Sequence, residues 1–126
     1  MKIVVRVLIG IAGALGLVAA LMFWLEPERA AQGVGLALAN PTGTATIRAD
    51  IAGFFAASGV FALIGSIQGR AEPVFGTLML MSFAFLGRLL NVAMSGWNPM
   101  FLPPMLIEIV VIALFAFAYR TLSRVG

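Results

Sequence analysis

Residues Leu8 to Leu25 read LIGIAGALGLVAALMFWL, and the Trp24 indole is the only polar side-chain group among them. Crossing the hydrocarbon core of a bilayer as an α-helix takes roughly 20 apolar residues, which is the length of this run once Val7 is added. A closed β-barrel also satisfies its backbone in lipid, but its strands alternate apolar and polar residues, and this run does not. It therefore predicts a membrane-spanning helix.

The same signature recurs along the chain. Ile51 to Gln68 carries no charge, and two further apolar stretches each run across a single one. The first extends from about Val74 to Ala93 with Arg88 inside it, and the second from about Pro103 to Tyr119 with Glu108 inside it. The expected fold is all-α: one domain, residues 1–126, a bundle of four transmembrane helices at about 4–25, 46–68, 74–94 and 103–121, with an outer loop over 26–45. Composition agrees, since 62% of the 126 residues are hydrophobic, 10% are charged and the mean hydropathy is +1.09. A soluble domain of this size needs far more polar surface.

The start of the chain has a second reading. Lys2 and Arg6 before an apolar stretch, with small residues at Val18-Ala19-Ala20, resemble a secretory leader. The run continues unbroken through Leu21-Met22-Phe23-Trp24-Leu25 and is long enough to span, which favours a retained helix. Cysteine and histidine are both absent. That excludes thiol exchange, a structural zinc site and a His-ligated haem, so no cofactor and no metal are expected. The net charge of +3 fits membrane orientation better than nucleic-acid binding.

With four spans, the N-terminus, the second loop and the C-terminus share a side. That side holds Lys2, Arg6, Arg70, Arg120 and Arg124, whereas the first loop on the other side carries Arg29. Cytoplasmic flanks are enriched in Lys and Arg, so both termini are expected in the cytoplasm. Trp24 and Trp97 then fall at the outer interface and Tyr119 at the inner one, where amphipathic rings anchor. In the first helix Gly10, Gly13 and Gly16 offer a small-residue face for helix packing. Gln32 to Leu38 is expected to lie along the interface, and Asn40-Pro41-Thr42-Gly43-Thr44 has turn chemistry. Pro73, Pro103 and Pro104 belong in first turns, where a missing amide costs least.

Against this background Arg48, Asp50, Arg88 and Glu108 stand out. A charge at bilayer depth is costly on every scale, so the four are expected to face one another or a wet cavity. At 1.5 Å rise per residue all four fall within roughly 5–10 Å of the outer ends of their helices. Arg88, Asn91 and Ser95 follow at i, i+3 and i+7, along one face of the third helix. Arg48 and Asp50 are two apart and point differently, leaving Arg48 free to cap or to snorkel. Two readings of the cluster stand side by side: a polar pin that fixes helix register, or the floor of an outward-open pocket in which Arg88 binds a polar or anionic group.

Arg48-Ala49-Asp50-Ile51-Ala52-Gly53-Phe54-Phe55, Gly87-Arg88-Leu89-Leu90 followed by Gly96, and Glu108 in a final apolar helix together resemble the four-helix bacterial membrane proteins grouped as domain of unknown function 4345. The resemblance covers nearly the whole chain. It implies four helices and a bacterial inner membrane, and no activity. Members often carry a serine and an acidic residue around the third-helix motif and the loop after it, where this chain has Asn91 and Ser95-Gly96-Trp97-Asn98.

Enzymatic chemistry is not expected, because intramembrane hydrolysis needs a nucleophile with a base, or a metal with ligands. A small proton-coupled exporter shares the size, but such exporters carry their carboxylate in the first helix, and here that helix has none. Two roles remain: a protein binding a lipid headgroup or small polar ligand at the outer pocket, or an accessory subunit against a larger respiratory or photosynthetic complex. The expected partners are membrane lipids, with a homo-oligomer or such a complex as the protein alternatives and no nucleic acid.

Overall fold

A computed structural model of the chain describes residues 1–124, so Val125 and Gly126, the end of the expected domain, lie outside the described residues. The described chain is helical: α1 (Lys2–Leu25), α2 (Pro27–Gly33), α3 (Pro41–Thr46), a π-helical turn (Ile47–Ile51), α4 (Ala52–Gln68), α5 (Ala71–Ser95), a 3-10 turn (Pro99–Phe101) and α6 (Leu102–Ser123). Four helical runs are long and apolar enough to cross a membrane: Lys2–Leu25, Pro41–Gln68, Ala71–Ser95 and Pro99–Ser123. With 1.5 Å rise per residue, each exceeds the roughly 30 Å hydrocarbon thickness.

The second span starts earlier than expected. Asn40 and Pro41 do not make a free turn: the Asn40 side chain accepts from Gly43 N at 2.9 Å and caps the helix, with Pro41 at its first position. A first helical turn and an isolated turn use the same residues, which is why the sequence reads either way. The outer connection is correspondingly shorter than 26–45. Its helical part is α2, over Pro27–Gly33. Pro27, Ala30 and Ala31 of α2 turn inward, while Glu28, Arg29 and Gln32 stay exposed.

The four spans form a ring in which α1 packs on α4, α4 on α5, α5 on α6 and α6 back on α1, with little contact across the diagonals. Association in lipid gains little from burying apolar side chains, because lipid tails are equally apolar, so close backbone approach matters more. The α1–α4 seam has it. A Cβ on Gly13 would lie 2.9 Å from Gly59 O, and one on Gly59 would lie 2.7 Å from Gly13 O. Gly10 packs against Ser66 and Gly16 against Phe55 and Gly59, so all three glycines of the first helix face α4.

Two cores follow. Val5, Ile9, Ala62, Ala71, Val74, Phe115, Ala118 and Leu122 join all four spans near the end that holds both termini. Phe23, Ala30, Ala31, Ile47 and Ala52 form a second core under α2 at the other end, and neither α5 nor α6 contributes to it. Thr77 Oγ1 donates to Ser58 O at 2.7 Å between α5 and α4, one buried polar bond in the apolar interior.

Candidate functional site

At the end opposite the termini, α5 and α6 carry the charges. Arg88 lies two turns before the end of α5 and Glu108 nearly two turns into α6, so the antiparallel hairpin brings them to one level. Arg88 Nε sits 2.7 Å from Glu108 Oε1. That oxygen is buried and lies off the line of any N–H, so the contact is one of charge rather than a directed hydrogen bond. The two partners differ in environment: the Glu108 side chain is 11% exposed and the Arg88 side chain 44%.

The pair borders a cavity of about 250 Å³ between the two helices, beneath the 3-10 turn. Its polar wall is Arg88, Asn91 and Glu108, and Ala84, Gly87, Phe101 and Met105 complete it. Asn98 caps the overlying turn by accepting from Met100 N at 2.9 Å, and Trp97 stacks edge-on against Phe101 at 6.0 Å. These contacts hold Phe101 in the cavity wall. A planar guanidinium with donors to spare beside a carboxamide suits an acceptor-rich group such as a phosphate or carboxylate. Among the described residues no three carboxylate, imidazole or thiol groups gather as a metal site would require.

Arg48 and Asp50 do not join this cluster. Arg48 Nε donates to Trp24 O at 3.0 Å, and the Trp24 indole Nε1 donates back to Arg48 O at 2.9 Å. The cause lies in the neighbouring span: the last carbonyls of α1 have no intrahelical donor, and a cation at a helix C-terminus is favoured by the dipole. The π turn assists, with Ala52 N–H reaching back to Ile47 O, turning Ile47 into the core under α2. Asp50 is exposed and has no polar partner among the described residues. The span that carries it stands diagonally from α6, out of reach of Glu108.

A matching clamp sits at the other end of the same seam, at Arg6, which the sequence presents only as an orienting charge. Its Nε and Nη2 donate to Ser66 O and Ile67 O at 2.6 Å each, and Ser66 Oγ donates to Arg6 O at 2.6 Å. Arg6 thus caps α4 as Arg48 caps α1. Ser66, polar in an apolar helix and level with Arg6, is the signal in the sequence that points to it. Trp24 and Trp97 share the loop end of the bundle; Tyr119, toward the other end, packs on Phe75 at 5.7 Å.

This arrangement defines a class: a four-span helical membrane domain with one intramembrane ion pair at a small cavity. The family model described as Domain of unknown function (DUF4345) matches residues 4–119, and the chain belongs to that family. No curated protein and no solved structure matches it.

Proposed function

We propose that the protein is a non-enzymatic binding protein of the bacterial cytoplasmic membrane, and that the Arg88–Asn91–Glu108 cavity receives a small polar or anionic group, such as a headgroup phosphate. The observation carrying the reading is the imbalance at the ion pair. Glu108 is enclosed, whereas Arg88 is 44% exposed and faces a cavity it shares with Asn91. Arg88 meets Glu108 through Nε, and a guanidinium carries further N–H donors that a pin leaves without use. Intramembrane ionisable groups that line a cavity are ligand or ion sites by default. The absence of histidine and cysteine, and a polar wall with no hydroxyl or thiol, favour binding over catalysis.

The cations Lys2, Arg6, Arg70, Arg120 and Arg124 favour a cytoplasmic side for both termini, and in that orientation the cavity opens toward the outer leaflet. The chain has no native cysteine to interfere with labelling. A Gln32→Cys variant should react with a membrane-impermeant maleimide in whole cells, and protection until lysis would invert the orientation.

Native mass spectrometry of protein released gently from its own membrane tests the binding. Among the masses bound to the wild type, one is expected to depend on Arg88: Arg88→Gln should lose that adduct while melting as a folded protein. A wild type that flies bare refutes the site. A second reading is lateral packing against a larger complex, to which the exposed apolar faces of the spans are as open as they are to lipid. Release within an assembly of fixed stoichiometry, with no bound mass, would select it.

A further inference from the structure

At the face holding the termini, a second cavity of about 320 Å³ opens where α1 and α6 meet, lined by Met1, Lys2, Phe117, Arg120, Thr121 and Arg124. Three of these six are cations and none is acidic. Arg120 stands on the last turn of α6, and Arg124 is the extended residue that ends the helix. Lys2 reaches across from α1, its Nζ 3.3 Å from Arg124 O, and so ties the two helix ends together. No carboxylate side chain among the described residues pairs with any of the three; the nearby Glu72 is engaged by Arg70 at 3.4 Å. Among the described residues these like charges have no carboxylate side chain opposite them, and an anion relieves their mutual repulsion.

The wall is also divided by depth. Phe117 lies about one helical turn further into the bundle than Arg120, and its ring is 49% exposed toward the surface that lipid covers. A ligand that meets cations at the interface and an aromatic ring just below it is amphipathic.

We infer that this α1–α6 cavity is a binding site for an anionic phospholipid, its headgroup phosphodiester held by Lys2, Arg120 and Arg124 and the start of its acyl chains lying on Phe117. Basic pockets between transmembrane helices at the cytoplasmic side bind such headgroups. The inference is independent of the Arg88 cavity, which stands at the opposite end of the bundle.

Delipidated protein in a neutral detergent is titrated with phosphatidylglycerol or phosphatidylcholine, and adducts are counted by native mass spectrometry. The wild type should bind phosphatidylglycerol in clear preference to phosphatidylcholine. Each interfacial cation contributes about 1 kcal/mol, so Arg120→Gln with Arg124→Gln should weaken binding of the anionic lipid roughly 30-fold. Arg120→Lys with Arg124→Lys should keep most of it, which separates loss of charge from loss of fold. Arg70→Gln removes a cation from the same face but outside the cavity and should change affinity by less than about twofold. The site is overturned if Arg70→Gln weakens binding as much as the double variant, if the two lipids bind alike, or if Arg88→Gln alone abolishes the adduct. Displacement of the lipid by glycerol phosphate at matching concentration would reassign the cavity to a free phosphate compound.

Discussion

α1 and α4 approach so closely that glycine faces glycine along their seam, and an arginine at each end bonds the carbonyls that end the other helix. α5 and α6 are held differently. α5 is buried only at Ala71, Val74 and Thr77, within its first two turns, and toward the connecting loop the hairpin relies on one ion pair beside a cavity. In lipid the first arrangement is the stronger, because it draws on backbone dispersion and charge-assisted hydrogen bonds rather than on apolar transfer. The loop half of α5 and α6, with few buried contacts, opens at lower free-energy cost than the clamped pair. In the reading proposed above, the Arg88 ligand falls in the half that is held less tightly.

The contrast breaks most directly at the glycine seam. A Cβ on Gly59 would meet backbone atoms, Gly13 O at 2.7 Å and Leu17 N at 3.0 Å, so the helices themselves must separate. Gly59→Leu should prevent recovery of folded protein, and Gly59→Ala should destabilise toward the upper end of about 1–3 kcal/mol, read from thermal unfolding in detergent. Gly87→Ala, on α5 where a Cβ meets nothing, should change stability by less than about 0.5 kcal/mol. Equal losses at the two sites would remove the distinction between the halves.

The clamps come next in size. Arg6→Gln removes two short charge-assisted bonds to the last turn of α4 and should cost about 2 kcal/mol, softened because water reaches that helix end. Arg48→Gln loses one longer bond from a more exposed side chain and should cost about 1 kcal/mol. Hydrogen exchange would localise each loss, at the Gly65–Gln68 turn for Arg6 and at the Met22–Leu25 turn for Arg48. Gly69 adds a check. Its φ is +65° and a Cβ there would lie 3.3 Å from the Arg6 guanidinium, so Gly69→Ala should destabilise by about 1 kcal/mol.

How much of this the sequence discloses depends on the range of the interaction. Span number follows from unbroken apolar runs, since helix is the only open backbone that lipid tolerates, and the described helices lie over those runs. Arg88 and Glu108 are matched by depth through a short loop, so arithmetic on helix rise brings them together. Arg48 and Asp50 are not placed by that arithmetic. Depth says nothing about position around the ring, and the ring sets their span diagonally from α6. The pull of the unsatisfied Trp24 carbonyl on Arg48 is likewise a tertiary fact. The π turn at Ile47–Ile51 carries no distinctive composition, so its rotation of the flanking residues is visible only in three dimensions.

At the ion pair the smallest effect on stability is expected of the double variant, which also divides the two readings of the pair. Arg88→Met leaves Glu108 Oε1 buried without a counter-charge and should cost about 1–2 kcal/mol, less than the roughly 3–5 kcal/mol typical of a fully enclosed pair, because Arg88 is already 44% exposed. Adding Glu108→Leu removes the orphaned carboxylate, and the double variant should return to within about 0.5 kcal/mol of wild type, since apolar replacements of buried pairs are often neutral. A bound polar ligand makes the opposite demand, because it needs Arg88 itself and not merely a neutral seam. A double variant that is as stable as wild type yet lacks the Arg88-dependent adduct therefore shows that the pair serves a ligand beyond the register of α5 on α6. Should the stable double variant keep its ligand, the charges serve only the register of α5 on α6.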